Sequence, residues 1–217
     1  MPGTLCHIAF GEMVYRKLAS NMPLSKIDFM SGNLIPDLSA EDKNFSHYRT
    51  EASIMGLFVP DMKQVENELL SVHNPIKLGM YSHLYIDERF IEGFLIPSFI
   101  WEKSRMVIIN PRNSLEWYPE PFFRQGGTYY LAFAEINQML IRDGYISMET
   151  ILNMPEKLPD TGMPVYDKRQ ERPWKKEIEE YIAQKIEYTG DVFDYESLVS
   201  FLENTANELA DKIKKTK

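Results

Sequence analysis

Apolar residues along this chain recur mostly at helical spacing. Between His7 and Ser20, Phe10, Val14 and Leu18 stand four apart and Met13 widens the stripe, which predicts an amphipathic helix. Met22-Pro23 interrupts it, and Ser31-Gly32-Asn33-Leu34-Ile35-Pro36-Asp37 reads as a loop with a fixed turn. A second helix is expected to begin at Pro75 with Asn74 as its cap. Its members Ile76, Met80, Leu84, Phe90 and Ile91 lie near one face, and Pro97 limits it. Tyr129 to Arg142 is a third helix, closed by Asp143-Gly144, and Ser147 caps a short one ending before Pro155. Residues 155–173, rich in Pro, Asp and Lys, read as a long surface loop. Two further amphipathic helices follow, Lys175 to Tyr188 and Tyr195 to Lys214, the latter ending in lysines that complement its dipole. Only Met106 to Ile109 suggests a strand. The expected fold is all-α, one helical domain over residues 1–217, with an N-terminal half to about residue 100 and C-terminal helices over about 127–217.

Composition narrows the function classes. The chain has 217 residues, 44% hydrophobic and 26% charged, proportions that exclude a disordered or collagen-like chain. With 24 basic against 32 acidic side chains the net charge is −8, which argues against a dedicated nucleic-acid surface. A phosphate-bearing substrate then needs another source of positive charge. The single Cys6 allows no internal disulfide, no signal-peptide pattern opens the sequence, and the most apolar window, Phe94 to Ile100, is too short to span a bilayer. A soluble, cytoplasmic protein is the expectation.

A metal is the natural source of that charge, and histidine is its commonest ligand. The four histidines are His7, His47, His73 and His83. On a helix, His83 and Asp87 project from one face one turn apart and can converge on one ion, although a plain His–Asp pair has the same spacing. Asp37 follows Pro36, His47 lies between aromatic neighbours, and His7 opens the first helix; each has an ordinary structural role when taken singly. Together His7, Asp37, His47, His83 and Asp87 offer three imidazoles and two carboxylates, enough for two zinc ions if one carboxylate bridges. Mn2+ and iron suit part of the same donor set. Water activated at such a centre attacks phosphorus, and Arg49 is a candidate contact for the phosphate. Nothing beside Cys6 marks it as an activated nucleophile. His73, just before Asn74-Pro75, reads as a loop residue.

The order of these residues resembles the zinc-dependent phospholipase C family, related to the single-strand-specific zinc nucleases. The stretches that carry the resemblance are Thr4-Leu5-Cys6-His7, Gly32 to Pro36-Asp37, Phe45-Ser46-His47-Tyr48 and Ser82-His83 to Asp87. The resemblance implies a helical fold in which Asp37, His47, His83 and Asp87 surround one zinc and Asp87 bridges to a second held by His7. It further implies that Asp37 acts as general base or water-orienting carboxylate, on a small phosphodiester or a phospholipid. The family's third zinc needs two later histidines and a glutamate. No histidine follows His83, and Leu131 stands one turn before Glu135, where the histidine would be.

Two alternatives frame this reading. A helical phosphohydrolase of the HD-domain kind needs adjacent His-Asp, and none of the four histidines is followed by Asp. A non-catalytic binding or scaffold protein that keeps a structural metal fits the missing third-site histidines. The stretch from Trp117 to Gly127 reads as an aromatic-packed connection between helices, with a lid or lipid-contacting rim as the other possibility.

Overall fold

The computed structural model describes residues 3–38, 43–52, 56–71, 73–163, 166, 173–183, 186 and 188–216. Helices dominate. They begin with α1 (Thr4–Ala19), α2 (Lys26–Leu38), the single turn α3 (Lys43–Ser46), α4 (Met62–Leu69) and α5 (Pro75–Phe90). After α5 the chain widens into a π turn at Ile91–Leu95 and re-forms as α6 (Ile96–Ser98), so Pro97 falls inside a last helical turn. Then come α7 (Pro119–Phe123), α8 (Thr128–Arg142), α9 (Met148–Asn153), a Trp174–Ala183 helix and the C-terminal helix Tyr195–Lys215.

Local chemistry accounts for most helix ends. The Asn74 side chain accepts from the Lys77 amide at 3.0 Å, and Pro75 opens the helix where its missing N–H costs nothing. Asp61, Ser147 and Asp194 cap their helices in the same way, and Gly144, at φ 75°, follows the end of α8.

Two expectations are corrected. The fold is mainly helical but not all-α. The strands β1 (Arg49–Glu51) and β2 (Phe58–Pro60) pair antiparallel, and β3 (Ile100–Glu102), β4 (Val107–Ile109) and β5 (Glu116–Trp117) form a second antiparallel sheet. Strands of two or three residues are too short to display a period of two. The second correction concerns residues 31–37, which lie inside α2 rather than in a loop. Gly32 is there for packing: a Cβ on it would stand 2.0 Å from the Ile76 carbonyl oxygen, and one on Gly79 would stand 2.0 Å from that of Phe29. The backbones of α2 and α5 cross in contact through these two glycines, the most extensive helix pairing among the described residues. Pro36 sits in the last turn of α2, where it forfeits one helical bond to the Gly32 carbonyl without ending the helix.

Helix α1 packs on α2, α5 and the C-terminal helix, and a cluster of edge-on and tilted aromatic rings from Phe90, Phe99, Phe122, Tyr129, Phe133 and Phe193 ties the π-turn region to α8. Trp117 and Phe122 pack 5.2 Å apart, so the aromatic stretch belongs mostly to this interior and leaves Tyr118 exposed. Of the expected surface loop 155–173, Leu158 and Tyr166 are instead buried; residues 164–165 and 167–172 lie outside the described set. So do 184, 185 and 187, at the expected end of the preceding-to-last helix. Among the described residues, no helix is long and apolar enough to cross a membrane.

Candidate metal centre

The α2–α5 crossing sets the spacing of the functional side chains. His83 and Asp87 lie one turn apart on α5, so both point the same way. Asp37 lies in the last turn of α2, His7 in the second turn of α1, and His47 directly after α3. All five predicted ligands are brought together. His7 Nε2 stands 3.3 Å from Asp87 Oδ1, while His47 Nε2 and His83 Nε2 stand 3.7 and 3.5 Å from Asp87 Oδ2. His47 Nε2 is also 3.6 Å from Asp37 Oδ1. The His7 and His83 rings stack at 3.7 Å, and His47 meets His83 edge-on at 5.4 Å.

These contacts are too long or misaligned to be good hydrogen bonds. The ring Nε2 atoms of His7, His47 and His83 and both oxygens of Asp87 have no hydrogen-bond partner, although all four residues are buried to 1% exposure or less. A buried carboxylate without donors is costly, and a cation relieves that cost. Ligands about 2.0–2.1 Å from a tetrahedral zinc stand ~3.3 Å from one another, close to the separations seen here. The ligating atoms of His7, Asp37 and His83, and those of His47, His83 and Asp87, lie within 4.8 Å of one another in each group. The donor set therefore fits a divalent transition metal.

The imidazoles are also oriented for it. His83 Nδ1 is 2.7 Å from the Asn33 carbonyl oxygen, which can only accept, so Nδ1 carries the proton and Nε2 keeps its lone pair. His47 Nδ1 lies 2.8 Å from Ser46 Oγ. Burial first, then repulsion from His7, pushes His83 down to about 3, so it is neutral at pH 7. Burial opposes the ionisation of Asp87, but His7 and then His83 outweigh it and hold the carboxyl at about 2. Asp37 is likewise held well below the usual carboxylate range: burial works against this, and His47, His83 and Lys43 overcome it.

Asp37 is the candidate ligand nearest solvent, 13% exposed, and the half-exposed Lys43 ammonium donates to its Oδ1 at 2.9 Å. Thr4 Oγ1 donates to Oδ2 at 3.4 Å. Arg49 stands two residues past His47 on β1, where it donates to Asn44 Oδ1 at 3.4 Å and covers the Phe58 ring. Cys6 is fully buried, and burial, then Asp87, pushes its thiol up to about 12, an unactivated nucleophile. His73 is exposed in the turn before α5. Glu135 accepts from the Thr189 amide and hydroxyl at 3.0 and 3.1 Å and so anchors the loop at residues 188–190.

Sequence reasoning misses the supporting Lys43 and Tyr166, whose hydroxyl donates to the Ser46 carbonyl at 2.8 Å, and names Thr4, Asn33 and Ser46 only within longer stretches, with no supporting role. Comparisons with protein-family models, with curated proteins and with solved structures find no match. The functional reading rests on the geometry.

Proposed function

We propose that this chain is a metal-dependent phosphodiester hydrolase, a divergent relative of the zinc-dependent phospholipase C family with the corresponding helical fold. The observation that carries this reading is the buried convergence of three Nε2 atoms without hydrogen-bond partners on both oxygens of a donor-free Asp87. His7, His47, His83 and Asp87 would hold the metal, zinc by preference, with Mn2+ or iron as lesser fits to an N3O set. Asp87 turns Oδ1 toward His7 and Oδ2 toward His47 and His83, which suits a carboxylate shared between two ions. Bound divalent ions supply acidified water and neutralise phosphoryl oxygens.

The remaining roles fall to the chain. Asp37, at the solvent edge and kept ionised, accepts a hydrogen bond from the attacking water and orients it; its depressed pKa makes it a weak proton sink. Lys43 adds positive charge beside it for a phosphodiester anion. Phe45 and Phe58 are exposed next to His47 and Arg49, which suits a substrate with an apolar arm. Chelator-sensitive hydrolysis of bis(p-nitrophenyl) phosphate is the test. Asp87→Asn should lower turnover at least about 100-fold while the fold persists. Zinc-, manganese- or iron-loaded protein that shows no turnover would remove the hydrolase assignment.

One observation favours a second reading, a binding protein with a structural metal. His7, His47, His83 and Asp87 are closed off from solvent, as structural rather than catalytic sites tend to be. Metal uptake without turnover would select it.

A further inference from the structure

His47 is the one ligand not carried on a long helix. It follows the single turn of α3 and precedes Tyr48, which sits at φ 48°, a left-handed conformation unusual for a tyrosine. Such a conformation persists only where its surroundings impose it. Here they do so at several points. Ser46 Oγ lies 2.8 Å from His47 Nδ1, and the Asp61 amide donates to the Tyr48 carbonyl at 2.8 Å. The Tyr48 hydroxyl donates to Glu68 Oε2 on α4 at 2.8 Å. The last clamp comes from much further along the chain. Tyr166, 120 positions after Ser46 and wholly buried, donates its hydroxyl to the Ser46 carbonyl at 2.8 Å and also contacts the Tyr48 hydroxyl.

We propose that Tyr166 is a positioning residue for the metal ligand His47, acting through the Ser46 carbonyl. The proposal rests on the metal-centre reading above. The Tyr166 ring fills space that phenylalanine would fill equally, so Tyr166→Phe isolates the hydroxyl, which holds the Ser46 carbonyl and meets the Tyr48 hydroxyl, one on either side of His47. With that peptide fixed, Ser46 Oγ meets Nδ1 and the ring presents Nε2 to Asp87. Released from Tyr166, the turn can rotate and carry Nε2 away from the other ligands. A centre assembled from the first half of the sequence is in this way completed by a residue from the second half. Partners of this kind around ligating histidines change metal affinity by about 10–100-fold when removed.

The experiment compares the wild-type chain with Tyr166→Phe and Tyr195→Phe. Tyr195→Phe removes a hydroxyl from another buried tyrosine, one that packs on Tyr188 outside the cluster. Zinc affinity is read by competition with a chromophoric chelator, coordination by the visible absorption of Co2+-loaded protein, and folding by far-UV circular dichroism of the metal-free forms. Tyr166→Phe should bind zinc about tenfold more weakly and alter the Co2+ spectrum, with a wild-type circular dichroism spectrum. Tyr195→Phe should match wild type in all three. Wild-type affinity and Co2+ spectrum in Tyr166→Phe would overturn the proposal while leaving the metal centre standing. Failure of the wild type to bind either ion would overturn both. Should metal-free Tyr166→Phe not fold, the Co2+ spectrum of the variant refolded with the ion decides: an altered spectrum supports the proposal, and a wild-type spectrum overturns it.

Discussion

Replacing Gly79 by alanine adds one methyl group at the helix crossing that sets the spacing of the proposed metal ligands. That Cβ would lie 2.0 Å from the Phe29 carbonyl oxygen and 2.7 Å from the Asn33 amide nitrogen, both backbone atoms that no rotamer change can move. Relief to an ordinary contact near 3.4 Å parts the helices by about 1.4 Å. The His83 Nδ1 bond to the Asn33 carbonyl, now 2.7 Å, spans the same crossing one turn along and is stretched out of range. Overpacking costs about 1–3 kcal/mol and the lost bond about 1 kcal/mol. The better helix propensity of alanine returns up to about 1 kcal/mol. The net expectation is a loss of about 2 kcal/mol, read by urea unfolding of the metal-free protein. Because His83 loses its orienting acceptor, zinc affinity should fall about 10–100-fold as well. A Gly79→Ala variant within roughly 0.5 kcal/mol of wild type and with unchanged zinc affinity would refute the crossing as the device that places His83.

Other consequences follow from burial and charge. Cys6, with no exposed surface, should resist a thiol reagent such as DTNB in the folded protein and react fully on unfolding; fast labelling of the native form would contradict its placement. The chelated protein should lose stability steadily on acidification. His83, about 3 when folded against an ordinary 6.5, takes up its proton only on unfolding, so stability falls with pH between those values. Asp87, about 2 when folded against 3.8, adds a further loss as pH drops through that lower window. Denaturant midpoints measured from pH 7 down to 2.5 check the sign across both windows, and a flat profile would contradict it. Asp194→Ala, which removes the side-chain acceptor of the Ser197 amide, should cost about 1 kcal/mol and leave zinc affinity untouched.

The convergence of the five candidate ligands was legible because their chemistry is local or rare. His83 and Asp87 share a face through a spacing of four, and in a chain with 4 histidines the order of His7, Asp37, His47 and His83 is itself informative. Helix starts at Asn74-Pro75 and Ser147 and the stop at Gly144 were legible for the same reason, since caps act within a few residues. What escaped depends on distant partners. Gly32 reads as a turn until Gly79 is brought against it, and only then is its missing Cβ seen to serve a helix crossing. Lys43 looks like any surface lysine until the end of α2 delivers Asp37 to it. Tyr166 lies in a polar, proline-rich stretch whose composition says loop, while its burial is decided by Ser46, 120 positions away. Of the strands, β4 was legible in the run Met106 to Ile109, but its partners β3 and β5 were not, because pairing is a relation between short segments and not a period within any of them.

Whether His7, Asp37, His47, His83 and Asp87 hold a metal is decided most directly by elemental analysis of the protein purified without added metal or chelator. The predicted result is about one to two equivalents of zinc per chain, lost in Asp87→Asn. Metal-free protein that also takes up no zinc, manganese or iron on addition would contradict the account.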